Sequence, residues 1–583
     1  MRLTIRATGI GAATIGAAVL AACFSDGYAQ TQQQLDACGG GGGGKSNLPL
    51  ETVVNGCTAL LQSGNYRGRD LAAVFVTRAA AYQRAGQLDR AVQDYDEALR
   101  LDPGNATAYY NRGIAHGAKG DWDRAIQDYD QALKLYPNDA AAFRGRGLAY
   151  QEKQQPERAI KDFDQALRLE PNDAAAFAYR AGAYLRTGAL DRAIGDYDQA
   201  VRLAPDNAQY VYGRGVAYSR KEQWSRATQD YDQAIKLDPK LAAAFYGRGF
   251  ALQKLDQLDR AIEDFDKSIG LDPDNASAFA LRGAARLRKG DLDRALSDFD
   301  RAIEIDPHDA TTFYNRGVAH SRNRQWDAAI LDFDQAITLQ PDDASSFAYR
   351  GAAYRRRGEP DRALKDLDRA IELDGHLAFA FANRGAVYSA KGEWDRAIED
   401  YTRALEIEPH DAATFYNRGA AWRMKQQWDE AIKDFDQAIR LDPKDSSAFR
   451  NRGFAYGKLE QIDAALADFG QAIQLDPNDA LAFAYRGAAW QRKGEIDRAI
   501  EDYDRALAID PNEITTLYNR GAANAGRRQW QQAIQDYDRV LKLDPKFAAA
   551  LYNRGVAKEQ LGDRAGAEAD VAAARQIDPD IGK

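Results

Sequence analysis

The chain has 583 residues, 45% of them hydrophobic and 28% charged, with a formal net charge of −9. No strongly basic domain stands out, so nucleic acid is not an expected partner. His116, His308, His320, His376 and His410 are scattered, with no partner at ligand spacing, which excludes a recognisable metal site.

Met1 to Ala29 reads as an export signal. Arg2 and Arg6 supply a positive start, Ala7 to Ala22 an apolar core of small residues, and Gly27-Tyr28-Ala29 a cleavage site. A competing reading is Leu20-Ala21-Ala22-Cys23, which resembles the lipobox of bacterial lipoproteins, whose cysteine becomes the lipidated first residue. The mature protein is then either free after Ala29 or anchored at Cys23; an uncleaved anchor is a third reading. No later segment is apolar enough to span a membrane.

Residues 30–49 are expected to form a flexible linker around the glycine run. Gly39, Gly44, Lys45 and Ser46 satisfy the phosphate-loop formula, but that motif works only between a buried strand and a helix. Thr31 to Asp36 is glutamine-rich and Pro49 follows at once, so no nucleotide or other cofactor is expected. Cys38 and Cys57 remain as an even pair in a non-reducing compartment and are expected to bond. The alternative is two small residues in an irregular cap. Leu50 to Gln62 places Val53, Val54, Cys57, Leu60 and Leu61 on one helical face. Residues 50–71 thus read as a half repeat covering the first full one.

From Ala72 to Ile581 one unit recurs every 34 residues, fifteen times without insertion, and residues 582–583 form a tail. Pro103, Pro137 and Pro171 begin the series, Gly375 interrupts it, and Pro579 ends it. Such a period is the signature of a stacked repeat array. With Ala310 as position 1, large residues fall at positions 4 (Phe313), 11 (His320) and 24 (Phe333). Small ones fall at 8 (Gly317), 20 (Ala329) and 27 (Ala336), and proline at 32 (Pro341). Positions 4, 8 and 11 share one face of a first helix, and 20, 24 and 27 one face of a second. Residues around position 15, such as Gly86 and Gly120, end the first helix, and aspartate at 18 begins the second. A lone hairpin cannot bury its apolar face, so neighbours must stack.

This pattern resembles the tetratricopeptide repeat. The resemblance implies an all-α, right-handed superhelical solenoid of about fifteen helix-turn-helix repeats. Position 7, commonly leucine in that family, is arginine in all fifteen copies, from Arg78 through Arg316 to Arg554, and position 23 is aspartate from Asp94 to Asp570. A structural ladder of arginine–aspartate pairs is expected, within or between repeats. A longer period of 102 residues links Trp122, Trp224, Trp326, Trp428 and Trp530, consistent with duplication of three-repeat blocks.

The carboxylates recur in every unit, whereas a general acid–base pair should be singular, so no enzyme is expected. The resemblance implies a protein-binding scaffold, exported in a Gram-negative envelope to the periplasm or as an outer-membrane lipoprotein. It implies a concave groove lined by positions 2, 5, 9, 12 and 13. Position 13 of repeats four to nine carries Arg186, Arg220, Lys254, Arg288, Arg322 and Arg356, a stripe suited to an acidic peptide. Tyr212, Tyr246 and Tyr314 at position 5 are expected to add aromatic faces. The alternative function is binding of cell-wall polysaccharide or exopolysaccharide. The stripe has a second reading too, since cations in the last turn of a helix offset its dipole without any ligand.

Overall fold

The structure, a computed structural model, describes residues 28–39 and 48–582. The expected signal up to Gly27, with Cys23, lies outside the described residues, as do Lys45 and Ser46. Among the described residues there are thirty-two helices and no strand, and no helix is long and apolar enough to cross a membrane. The chain divides into two compact units, 1–290 and 291–583. Within each unit successive helices pair antiparallel, and every second helix packs against the first helix that follows it; the first unit ends on the single helix Ala276–Lys289 and the second begins on the single helix Leu292–Ile305.

The first unit opens with α1 (Tyr28–Ala37) and α2 (Leu50–Ser63). The expected linker of 30–49 is thus corrected at its start, because a helix occupies it as far as Ala37. Two features hold that polar segment in place. Cys38 is bonded to Cys57, with Cα atoms 4.7 Å apart, and Leu35 and Leu48 pack on the buried Val53, Cys57 and Leu60. Gly56 permits the close approach, since a Cβ there would lie 2.7 Å from that of Ala37.

Hairpins follow within each unit: six in the first, from α3 (Gly68–Arg84) with α4 (Leu88–Leu101) to α13 (Ala242–Lys254) with α14 (Leu258–Leu271), and eight in the second, from α17 (Ala310–Arg322) with α18 (Trp326–Leu339) to α31 (Ala548–Gln560) with α32 (Arg564–Ile577). The repeat pattern fixes each one. Position 34 of the preceding repeat caps the first helix, as where Asn105 Oδ1 accepts from the Ala108 N–H at 2.9 Å and Asp139 Oδ1 from that of Ala142 at 3.0 Å. The turn after it is closed by a bond from position 16 back to position 11, such as Gln155 N–H to the Tyr150 carbonyl at 2.9 Å. This closure puts position 15 in the left-handed region in every copy. Eight copies use glycine there, but Gln154, Glu222 and Arg324 are among seven that do not, with φ of 57–58° for those three. Each such residue costs about 1–2 kcal/mol against the right-handed alternative, so the closed turn evidently outweighs local preference. The position-18 aspartates lie inside the first turn of the second helix rather than at its cap, facing its positive end.

The core runs between the two helices of each hairpin. At position 8, a Cβ on Gly317 would lie 2.7 Å from Cε1 of Phe333, so the glycine is the space in which the position-24 ring sits. Tyr231 is held on two sides this way, by Gly215 of its own repeat and Gly247 of the next. Ala329 and Ala336 complete the contact, and Phe333 is fully buried.

The last hairpin departs from this scheme. Position 11, aromatic or His in most copies, is Lys558, which bonds Asp570 at 2.8 Å. The outer face of α32 presents Glu568, Ala569, Ala572, Arg575 and Gln576 to solvent instead of large apolar groups.

Candidate functional site: the face of the first helices

The position-7 arginines and position-23 aspartates form a ladder, and it runs both within and between repeats. Arg146 sends Nε and Nη2 to the two oxygens of Asp162, at 2.8 and 2.7 Å, and its Nη1 to Asp130 of the preceding repeat at 2.6 Å. In the second unit Arg316 does the same with Asp332, at 3.0 and 2.6 Å, and with Asp300 at 2.7 Å. The bidentate fork suits a planar guanidinium. These bonds raise the Arg146 guanidinium further above its ordinary range, against the opposing pull of burial. The extra partner, position 25, is aspartate in twelve of the fifteen copies, a signal overshadowed by the stricter position 23. It is Thr402 before Arg418, whose hydroxyl accepts at 2.9 Å. Before Arg486 it is Gly470, and that arginine keeps only Asp502. The position-23 carboxylates that these forks hold are thereby committed to a structural role.

A second rule joins positions 12 and 24. Where position 24 is tyrosine and position 12 polar, the two bond: Tyr95 to Gln83 at 2.9 Å, Tyr231 to Ser219 at 3.0 Å, Tyr401 to Ser389 at 3.2 Å and Tyr503 to Gln491 at 2.9 Å. Where position 24 lacks a hydroxyl, five polar residues at 12 are each left with a buried, unbonded atom, while Glu559 opposite Val571 is exposed. The five are Gln151, Gln253, Ser321, Arg355 and Arg423.

The expected stripe is exposed throughout. In the first unit, however, its guanidiniums serve the backbone. Arg186 Nη1 donates to the Gln151 carbonyl at 3.1 Å, Arg220 to Leu185 at 2.8 Å and Arg288 to Gln253 at 3.3 Å. Each closes the last turn of the first helix before its own. Arg288 also pairs with Asp256 at 2.7 Å, and Lys254 Nζ stands 5.4 Å from the Phe250 ring centre. Arg322 and Arg356 hold the same position in the second unit.

The position-5 tyrosines, expected to add aromatic faces, are half-buried and pack on the core. Their rings lean on position 24 of the same repeat: Tyr212 on Tyr231 at 5.8 Å, Tyr246 on Phe265 at 6.3 Å and Tyr314 on Phe333 at 6.1 Å between centres.

Burial raises the phenol of Tyr197 to about 12 and that of Tyr212 likewise, and pushes Tyr95, Tyr129, Tyr231 and Tyr537 higher still. Unfolded tyrosines ionise near about 10. Below that pH both states keep the proton and stability is unaffected by these groups. As pH rises from 10 towards 12 the unfolded chain releases protons that the folded chain retains, and stability falls by about 1.4 kcal/mol per unit and tyrosine. Urea midpoints at pH 9, 10, 11 and 11.5 are expected to be level and then drop. A level series to pH 11.5 would show that the rings are solvated.

Among the described residues no group of three or more His, Cys, Asp or Glu is placed to hold a metal ion. Within each unit the face of the first helices presents half-buried polar and small residues edged by cations.

Comparison with known proteins agrees with this geometry. Family models described as tetratricopeptide repeat match residues 76–140 and 314–378, 113–181, 215–286 and 418–486, and 378–411. One described as TPR repeat matches 285–323, 492–526 and 527–562. No curated protein matches the chain. Among solved structures it is similar to the Cut9–Hcn1 hetero-tetramer of APC/C, at 18% identity over 80% of this chain and 98% of that one, with a TM-score of 0.41. Yeast Tom70 is 17% identical over 72% of this chain and 96% of its own, with a TM-score of 0.35. YrrB, a TPR protein with an unusual peptide-binding site, is 29% identical over 32% and 96%, with a TM-score of 0.29. These superpositions are loose, and the family matches carry the assignment.

Proposed function

Because the chain belongs to the tetratricopeptide repeat family, we propose that it is a non-enzymatic scaffold of the bacterial cell envelope. In this reading it holds extended protein segments on the face lined by its first helices. The observation behind this reading is the contrast between the two kinds of polar group. Ladder carboxylates are paired, so chemistry has no singular site, while the first-helix face keeps exposed cations and polar atoms without partners. Arg186, Arg220 and Arg288 cap a neighbouring helix through Nη1 and, like the other position-13 cations, still face outward. Their field would favour acidic segments, with affinity falling as salt rises.

The carbohydrate reading loses its main support, since the tyrosines meant as stacking platforms lean on core rings. Export accords with the bonded Cys38–Cys57 pair and with the Met1–Ala29 segment. Lipidation at Cys23 accords with the lipobox.

Affinity capture from an envelope extract, run beside a glycan array, tests the class: protein clients that elute with salt are expected. Glycan binding without protein clients would overturn it. Non-reducing mass spectrometry of envelope material should show the disulfide and no intact Met1. Palmitate label that vanishes in Cys23→Ser would place the anchor.

A further inference from the structure

We propose that Arg355 and Arg423, on the first-helix face of the second unit, form a two-point site for the carboxylates of an extended acidic protein segment. The inference deepens the scaffold reading and rests on it.

Both arginines stand at position 12, opposite a position-24 residue with no hydroxyl, Leu367 and Phe435. The Nε of each is buried and makes no bond. Arg355 has one weak neutral contact, Nη2 to Oδ1 of Asn383 at 3.3 Å. Arg423 touches only the sulfur of Met424, at 3.9 Å, and stacks 5.5 Å from the Phe454 ring centre. Among the described residues neither has a carboxylate within salt-bridge distance. The ladder arginines of the same unit, such as Arg350 and Arg452, bind two apiece. A part-buried cation without an anion is costly, and proteins seldom leave one so. Burial and the neighbouring Arg356 both pull the Arg355 guanidinium down, as expected where no anion offsets them.

Placement and spacing narrow the ligand. Asn383 and Phe454 each belong to the first helix of the next repeat, so both guanidiniums lie along the seam of first helices. They are two repeats apart. Helix spacings of about 8–10 Å put them roughly 16–20 Å from one another. An extended chain covers that distance in about five or six residues. Side chains on one face of such a chain recur every second residue, so acidic residues six apart match the pair. Between the arginines, position 9 presents Ala352, Ala386 and Ala420, all half-buried. These apolar surfaces suit peptide side chains and give sugar hydroxyls no partner, which favours a protein segment over an anionic glycan.

The probe is a fluorescein-labelled glutamate decapeptide, with a glutamine decapeptide as control, titrated by anisotropy against the full chain. Wild type is expected to bind the first and not the second. Arg355→Gln with Arg423→Gln should weaken binding by at least about tenfold, with Tm unchanged or raised because an unpaired charge has gone. A control of equal charge, Arg369→Gln with Arg403→Gln, removes guanidiniums paired with Glu372 and Glu406 on second helices and should leave affinity near wild type. If the Gln pair does not fold, Arg355→Lys with Arg423→Lys decides. It keeps the charge but loses the planar fork, and weaker binding is again expected.

Failure of wild type to bind, unchanged affinity in the variants, or equal loss in the control would each overturn the proposal. So would a lowered Tm with intact binding, or preference for polygalacturonate over the peptide. Envelope clients captured equally by wild type and the Gln pair would sink this site and leave the scaffold standing; no clients at all would sink the scaffold.

Discussion

Replacing Arg316 by leucine should destabilise repeat eight by about 3–5 kcal/mol, the usual cost of stranding one partner of a buried ion pair. Asp332 is 6% exposed at its side chain and takes both short bonds from that guanidinium. Its one other near group is His320 Nε2 at 3.7 Å, a poor substitute for a fixed fork of donors. Asp300 also loses its partner but is 59% exposed, so water replaces that contact at little cost. The double change, Arg316→Leu with Asp332→Leu, should recover much of the loss, since no buried charge is then left alone. A long array does not unfold as one two-state unit, so amide exchange within repeat eight is the appropriate measurement. Protection unchanged in Arg316→Leu would show that the pair is decorative.

Phe333→Ala should cost about 3–5 kcal/mol, as for other large-to-small changes in tight cores. The ring is fully buried, fills the space left by Gly317, and touches Tyr314 and Tyr349 with centres 6.1 and 6.0 Å away. A helix pair spaced for a ring cannot close on a methyl group, so a cavity is expected. Phe333→Tyr should behave differently. Ser321 has an unbonded buried hydroxyl, and Tyr231 with Ser219 shows the geometry a new hydroxyl would adopt. That variant is expected to be neutral or slightly stabilising by denaturant midpoint. Loss of stability in Phe333→Tyr equal to that in Phe333→Ala would refute the pairing rule between positions 12 and 24.

The helical array was legible because its period is strict: glycine or alanine at position 8 and a large residue at 24 state directly which helices must touch. The ladder was legible as two invariant positions, but its reach into the preceding repeat was not, because Thr402 and Gly470 blur position 25. Tyr212, Tyr246 and Tyr314 misled because position 5 borders both groove and core, and only backbone spacing decides where a ring turns. The α1 helix was hidden for another reason. Its sequence has no apolar periodicity, and its place comes from a disulfide and a glycine on a different helix. Nothing in the sequence sets Arg355 and Arg423 apart at position 12, because what distinguishes them is a buried Nε without a bond.

The gap at Gly470 bears on how the second unit would respond to load. Every guanidinium that crosses from one repeat to the one before acts as a rivet between successive hairpins. Where Arg486 meets Gly470 that rivet is absent, and the arginine is correspondingly more exposed, at 26% against 17–20% for Arg350, Arg452 and Arg520. At the seam between repeats twelve and thirteen tension would instead pass through links at the surface, Arg492 Nη1 on the Gly457 carbonyl at 2.8 Å and Lys493 on Asp463 at 2.5 Å, with the Tyr485 ring wedged against Phe454 and Phe469. That joint is held from its edges and by a ring, where its neighbours are also held by a half-buried fork of charge.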